Sequence, residues 1–154
     1  MDVGSFDLAT CIYCDFGALT KKQQEVFLQH ARELLNPDGV LVFDVFGPGI
    51  SRTKTEGRTW TRESAKGFWS ESPCYVLSEC QHFPDEQIWG QKHIVIPDTG
   101  NPLTYVLWDH YFNTEQLTSL LLSAGFSVIE TRTDIVQESN FTSEDVLFVL
   151  ARKT

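Results

Sequence analysis

Apolar positions recur along this chain in two rhythms, one of period two and one of helical spacing. Phe6-Asp7-Leu8-Ala9-Thr10-Cys11-Ile12-Tyr13 has the length and β-propensity of a strand. Thr20 with Gln23 three residues later is a capping-box signature, so a helix follows. Val26, Phe27, Ala31, Leu34 and Leu35 recur at helical spacing as its apolar face. Asn36-Pro37-Asp38-Gly39 ends it, because proline cannot continue the helix and glycine suits the turn. Val40 to Phe46 is almost unbrokenly apolar, interrupted by Asp44. That is how a strand buried on both faces reads, and such strands belong to parallel sheets flanked by helices. Strand, helix and buried strand form a βαβ unit with a right-handed crossover.

The rhythm then changes. Gly47 to Lys66 has the Gly, Ser, Thr and charged content of a loop or mobile segment. Tyr75 to Phe83, Ile88 to Ile96 and Leu103 to Phe112 each show partial period-two alternation, which predicts a three-stranded antiparallel meander. Turn residues at 84–86 and 97–102 separate the strands. Asn113 with Gln116 caps a second helix with Leu117, Leu120, Leu121 and Ala124 on its apolar face, and Gly125 stops it. Phe126 to Arg132 and Val146 to Arg152 read as two closing strands joined by a polar loop around Gln137 to Asp145.

Composition narrows the function classes. The chain has 154 residues, enough for one domain, and its net charge of -9 argues against a nucleic-acid partner, since phosphate binding needs a basic face. The basic residues between Arg52 and Arg62 have Glu56 and Glu63 among them and read as a solvated loop. No apolar run is long enough to span a membrane. Met1-Asp2-Val3-Gly4-Ser5 lacks the basic-then-apolar pattern of a signal peptide. A cytoplasmic location with Cys11, Cys14, Cys74 and Cys80 as free thiols is the expectation. Cys11-x-x-Cys14 lacks a second close pair for zinc, and it ends a strand where a redox pair would start a helix. No metal site is expected.

In their order, these motifs resemble class I S-adenosylmethionine-dependent methyltransferases. Phe6-Asp7-Leu8-Ala9-Thr10-Cys11 is similar to the fourth strand of that family's seven-stranded sheet. Leu34 to Asp44 is similar to its helix end, Leu-x-Pro-x-Gly turn and fifth strand. Leu117 to Phe126, ending Ser123-Ala124-Gly125-Phe126, is similar to the helix before the sixth strand. Val146 to Arg152 then corresponds to the seventh, which runs antiparallel to the rest. The resemblance implies an α/β fold: a truncated Rossmann-like methyltransferase sheet (its last four strands) with an inserted antiparallel meander. Residues 1–154 form a single partial methyltransferase domain in this reading, and 67–113 an inserted substrate-lid subdomain.

The family's first strand, glycine-rich turn and first helix would lie upstream of residue 1. No G-x-G-x-x-G occurs in this sequence, and that loop carries much of the cofactor affinity. The expectation is that this chain alone is inactive, and that the exposed sheet edge at Phe6 supports a homodimer.

The resemblance also suggests site residues. Ligands of open α/β sheets lie beyond the carboxyl ends of the strands, which assigns Cys11, Ile12 and Tyr13 to the methionine end of S-adenosylmethionine. Simple strand-end packing is the alternative. Asp15 would orient a substrate amine or hydroxyl or act as a base; it could equally cap the next turn. Asp44, in a buried strand, needs a polar partner. In related enzymes the meander covers a small-molecule methyl acceptor, and Trp69, Trp108, His110 and Tyr111 are its candidate substrate contacts through aromatic and imidazole groups. Packing of the meander's own face is the competing account. No catalytic triad is expected, because the sulfonium is already activated and alignment supplies much of the rate. The rival readings are a non-catalytic methyltransferase-like binding or dimerisation module, and an unrelated α/β protein.

Overall fold

The computed structural model describes residues 6–133 and 145–154. The signal-peptide reading of residues 1–5 and most of the polar loop at 137–145 lie outside them. The chain divides into two compact units: Met1–Ser51 with His110–Thr154, and Arg52–Asp109.

The first unit is built on a four-stranded sheet. Its strands are β1 (Phe6–Cys11), β2 (Leu35–Phe46), β7 (Phe126–Arg132) and β8 (Val146–Lys153), in the order β1-β2-β8-β7. β1 and β2 are parallel, and β8 runs antiparallel to both of its neighbours. Three helices accompany the sheet: α1 (Asp15–Ala18), α2 (Lys21–Leu34) and α3 (Thr114–Ser123). Both longer helices carry the capping boxes read from the sequence, Thr20 with Gln23 and Asn113 with Gln116. Each box satisfies two otherwise orphaned backbone donors. Gly125 ends the α3 segment at φ 79°, a left-handed conformation open to glycine.

Leu41, Phe43 and Val45 of β2 alternate onto one face and join Val149 and Ala151 of β8. Phe16, Leu28, Leu117 and Leu121 cover that face from the helices, forming a single core. The buried face of α2 differs from the sequence reading. It centres on Gln24, Leu28 and Ala31, while Val26 is 43% exposed. Gln24 can be buried because its amide donates to the Phe16 and Leu19 carbonyls at 3.3 and 3.0 Å, which removes the desolvation penalty. On the opposite face of the sheet Val40, Val42, Phe148 and Leu150 are only half-buried, and Leu8 is 55% exposed.

The second unit corrects the three-stranded meander. It is a four-stranded sheet of β3 (Gly57–Glu63), β4 (Cys74–Phe83), β5 (Ile88–Pro97) and β6 (Leu103–His110), in that order, with β4 antiparallel to β3 and β5. The stretch read as loop holds a 3-10 helix, Pro48–Arg52, and then β3. β3 escaped the period-two reading because nearly all of its residues face solvent. It is held by pairing with β4 and by ion pairs that Arg58 makes with Glu79 and Arg62 with Asp98, both at 2.7 Å. This second compact unit spans Arg52–Asp109. Cys74, Val76 and Val95 form its small core, with Trp69 packed against them.

Candidate functional site

The parallel pairing of β1 and β2 sets the site. Cys11 lies beside Phe43, so the chain leaving β1 passes the next β2 residue, Asp44. The Asp44 carboxylate accepts the backbone N–H of Cys14 at 2.8 Å. Tyr13 and Cys14 adopt φ 74° and 58°, two consecutive left-handed residues that carry a conformational cost unless something holds them. Asp44, itself buried, supplies that hold. Phe16, fully buried among Phe43, Phe27 and Phe112 at ring separations of 5.0–6.1 Å, anchors the following α1 in the core.

This loop leaves Ile12 and Tyr13 54% and 82% exposed beyond the strand end, with Cys11 half-buried. Burial, followed by the Asp15 and Asp44 charges, raises the Cys11 thiol above its ordinary range. Asp15 is exposed and is the first residue of α1. It does not cap that helix: the cap position belongs to Cys14, which makes no side-chain cap bond.

His110 lies against the same helix. Its Nδ1 is 2.8 Å from the Gly17 carbonyl oxygen, so that nitrogen carries the proton and donates. Contact is closer still along the backbone, where a Cβ on Gly17 would stand 2.8 Å from the His110 carbonyl oxygen. Tyr111 follows in a bridge to Phe46 at the end of β2, and Phe112 donates its N–H to the Phe46 carbonyl at 2.9 Å. Cys11, Ile12, Tyr13, Asp15, His110 and Tyr111 thus gather around the carboxyl ends of β1 and β2.

Trp69 and Trp108 belong to the other unit and lie on opposite faces of its sheet. Trp69 packs on His93 and Tyr105 at 4.7 and 5.8 Å. Trp108 packs over Gly90 and Phe83. His93 and Gly90 are three residues apart on one strand, which places them on opposite faces. The two tryptophans cannot line one pocket. Sequence reasoning missed a polar group here: Ser78 Oγ lies 2.8 Å from His93 Nδ1, and Asp109 accepts from Gln91 at 2.8 Å and pairs with Lys54. Only the register of β4 on β5 brings Ser78 to His93.

Among the described residues no group of His, Cys, Asp and Glu is arranged to hold a metal ion. No helix among them is long and apolar enough to cross a membrane.

No protein-family model and no curated protein sequence matches this chain. Solved structures do match it. An S-adenosylmethionine-dependent methyltransferase from Clostridium acetobutylicum ATCC 824 superposes with a TM-score of 0.70 at 12% identity. The methyltransferase CcbJ from Streptomyces caelestis does so with 0.67 at 20% identity. The chain has the methyltransferase fold. Alignment extends over 97% and 98% of this chain but 59% and 62% of those two, so it spans about three fifths of the methyltransferases it matches. The sugar N-methyltransferase KedS8 from Streptoalloteichus sp ATCC 53650 gives 0.61 at 20% identity, covering 98% of this chain and 57% of its own. Within the methyltransferase fold, β1, β2, β8 and β7 are the strands that resemble its fourth, fifth, seventh and sixth.

Proposed function

We propose that this chain forms the acceptor-side part of an S-adenosylmethionine-dependent methyltransferase that acts on a small molecule. The observation that carries the reading is the open carboxyl end of β1, where Asp44 fixes the Tyr13–Cys14 turn and leaves Ile12 and Tyr13 exposed. A held strand end with exposed apolar side chains suits the methionine end of the cofactor, at the place where open α/β sheets take their ligands. The cofactor would supply an electrophilic sulfonium methyl group. Ile12 and Tyr13 would pack along it, and Asp15 and His110, on and against α1, would orient the acceptor. A small-molecule acceptor agrees with the matched sugar N-methyltransferase and with the net charge of -9, which disfavours nucleic acid. A cytoplasmic site of action fits the free thiols.

The sequence contains no glycine-rich loop, whose backbone N–H groups would bind the other end of the cofactor. Weak cofactor binding and no turnover by this chain alone follow from the proposal. Calorimetric titration with S-adenosylhomocysteine tests it: binding that is weakened by Tyr13→Ala, a change at an exposed position, supports the site, and no heat at millimolar ligand counts against it.

A second reading, a binding or dimerisation module, is favoured by β1 itself. Among the described residues it is an edge strand with Phe6 and Leu8 exposed, and apolar edges pair readily with another chain. A homodimer through this edge is its expected form. A monomer in sedimentation equilibrium would remove it.

A further inference from the structure

Among the described residues four side chains carrying a carboxylate, amide or imidazole are buried: Gln24, Asp44, His110 and Asp145. Three of them spend a hydrogen bond on the backbone of one short segment, Cys14 to Leu19. Asp44 accepts the Cys14 N–H at 2.8 Å. Gln24 Nε2 donates to the Phe16 and Leu19 carbonyls at 3.3 and 3.0 Å. His110 Nδ1 donates to the Gly17 carbonyl at 2.8 Å. They reach the segment from β2, from α2 and from the chain that enters α3.

The segment needs them. α1 has four residues, so all of its N–H groups and carbonyls belong to helix termini, and a single turn does not sustain itself. Gly17 donates to the Cys14 carbonyl at 2.9 Å and Leu19 to the Phe16 carbonyl at 3.3 Å. Bonds of that three-residue span have the poorer geometry of a tight turn.

Packing alone does not call for Gln24. It lies on the buried side of α2 with Leu28 and Ala31, where an apolar residue would avoid the desolvation of an amide. A buried amide that meets its partners fixes one arrangement of the groups it bonds, which a leucine cannot do. What it fixes lies at the carboxyl end of β1. Phe16 and Gly17 are buried, whereas Ile12, Tyr13, Asp15 and Ala18 stay exposed around them. A ligand that meets an ordered surface loses no affinity to ordering it.

We propose that Gln24 is a positioning residue for the ligand at the β1 end, holding α1 in place before the ligand arrives. It is 3% exposed and acts through α1 rather than by contact. The identity of the ligand rests on the methyltransferase reading; the hold on α1 rests on the three bonds.

The test joins nitrogen-15 relaxation of this chain to titration with S-adenosylhomocysteine. Amides of Asp15 to Leu19 should show order parameters of about 0.85, as rigid backbone does. Gln24→Met keeps the length of the side chain and removes its donor. It should lower those order parameters toward about 0.6 and leave the β2 amides unchanged. It should also weaken S-adenosylhomocysteine binding about tenfold, the worth of one such bond. His110→Ala should loosen the same amides, and His110→Asn, which returns a donor near the Nδ1 position, should restore them. That pair decides the hold if Gln24→Met does not fold. Order parameters left unchanged by Gln24→Met and His110→Ala overturn the hold. Loosened amides with unchanged affinity overturn the positioning role. A parent chain with rigid α1 amides that binds no S-adenosylhomocysteine removes the methyltransferase reading, and the positioning role with it, while the hold stands.

Discussion

The Asp44 carboxylate accepts the backbone N–H of Cys14 at 2.8 Å, thirty residues away in sequence. One side chain in the second strand therefore sets the backbone where the first strand ends. Asp44→Ala should orphan a buried donor and release two left-handed residues, at a cost of about 2–3 kcal/mol. Asp44→Asn keeps an acceptor oxygen and should cost about half as much. Urea denaturation of both variants checks the order, and equal losses would show that the bond does not govern the turn.

Gly17 meets the backbone of His110, not a side chain that could move aside. Gly17→Ala should destabilise the first unit by about 1–3 kcal/mol, the usual cost of overpacking. His110→Ala at the same contact loses the ring bond to the Gly17 carbonyl without a clash, and should cost about 1 kcal/mol. Thermal melts of the two variants measure the difference.

Trp89 is buried and stacks on His82 at 4.3 Å, yet its Nε1 has no partner among the described residues. Removing an unsatisfied donor recovers its desolvation cost. Trp89→Phe should therefore change stability by under about 1 kcal/mol, against about 3–5 kcal/mol for Trp89→Ala. A large loss with Phe would mean that the indole nitrogen is satisfied in solution.

Burial lowers the His93 pKa, and this has a pH signature. Above the ordinary imidazole value of about 6.5 the ring is neutral in both states, and its contribution to stability is fully present. As pH falls below that value the unfolded chain binds the proton first, so stability falls until the folded-state value is passed. Urea midpoints at pH 7.5 and 5.5 should draw closer together in His93→Gln; an unchanged gap would assign the acid sensitivity to other groups. Asp98 adds loss in the same direction at lower pH, because its bond to Arg62 holds its carboxyl below the ordinary range.

The alkylation rate of Cys11 offers a further check. Burial raises Cys11, Cys74 and Cys80, and protonated thiols react slowly. Cys11, beside Asp15 and Asp44, should react with iodoacetamide at least several-fold more slowly than a model thiol at pH 8. A rate equal to the model thiol's would mean that the β1 end is open and uncharged.

Local signals carried much of this fold. Thr20–Gln23 and Asn113–Gln116 declared both helix starts, and the apolar run through Leu41, Phe43 and Val45 declared the buried strand. β3 was illegible because no buried face disciplines its pattern; cross-strand ion pairs hold it instead. Gln24 was hidden because its burial depends on carbonyls supplied by Phe16 in α1 and by Leu19 just after it. Ser78 and His93 were hidden for another reason: their meeting depends on the register of a hairpin. That Asp44 needed a partner could be foreseen from its apolar strand, whereas the identity of that partner required the parallel register of β1 on β2.

The strand order β1-β2-β8-β7 also bears on how the sheet is assembled. β8 lies between β2 and β7, although it follows both in sequence. During synthesis β2 emerges about a hundred residues before the strand that will occupy its open side, and it must wait with that edge unpaired. Such non-local pairing is slow to form, and an apolar edge left waiting is a target for chaperones or for premature association with another nascent chain. The closing event is the insertion of Val146–Lys153 between two strands already made.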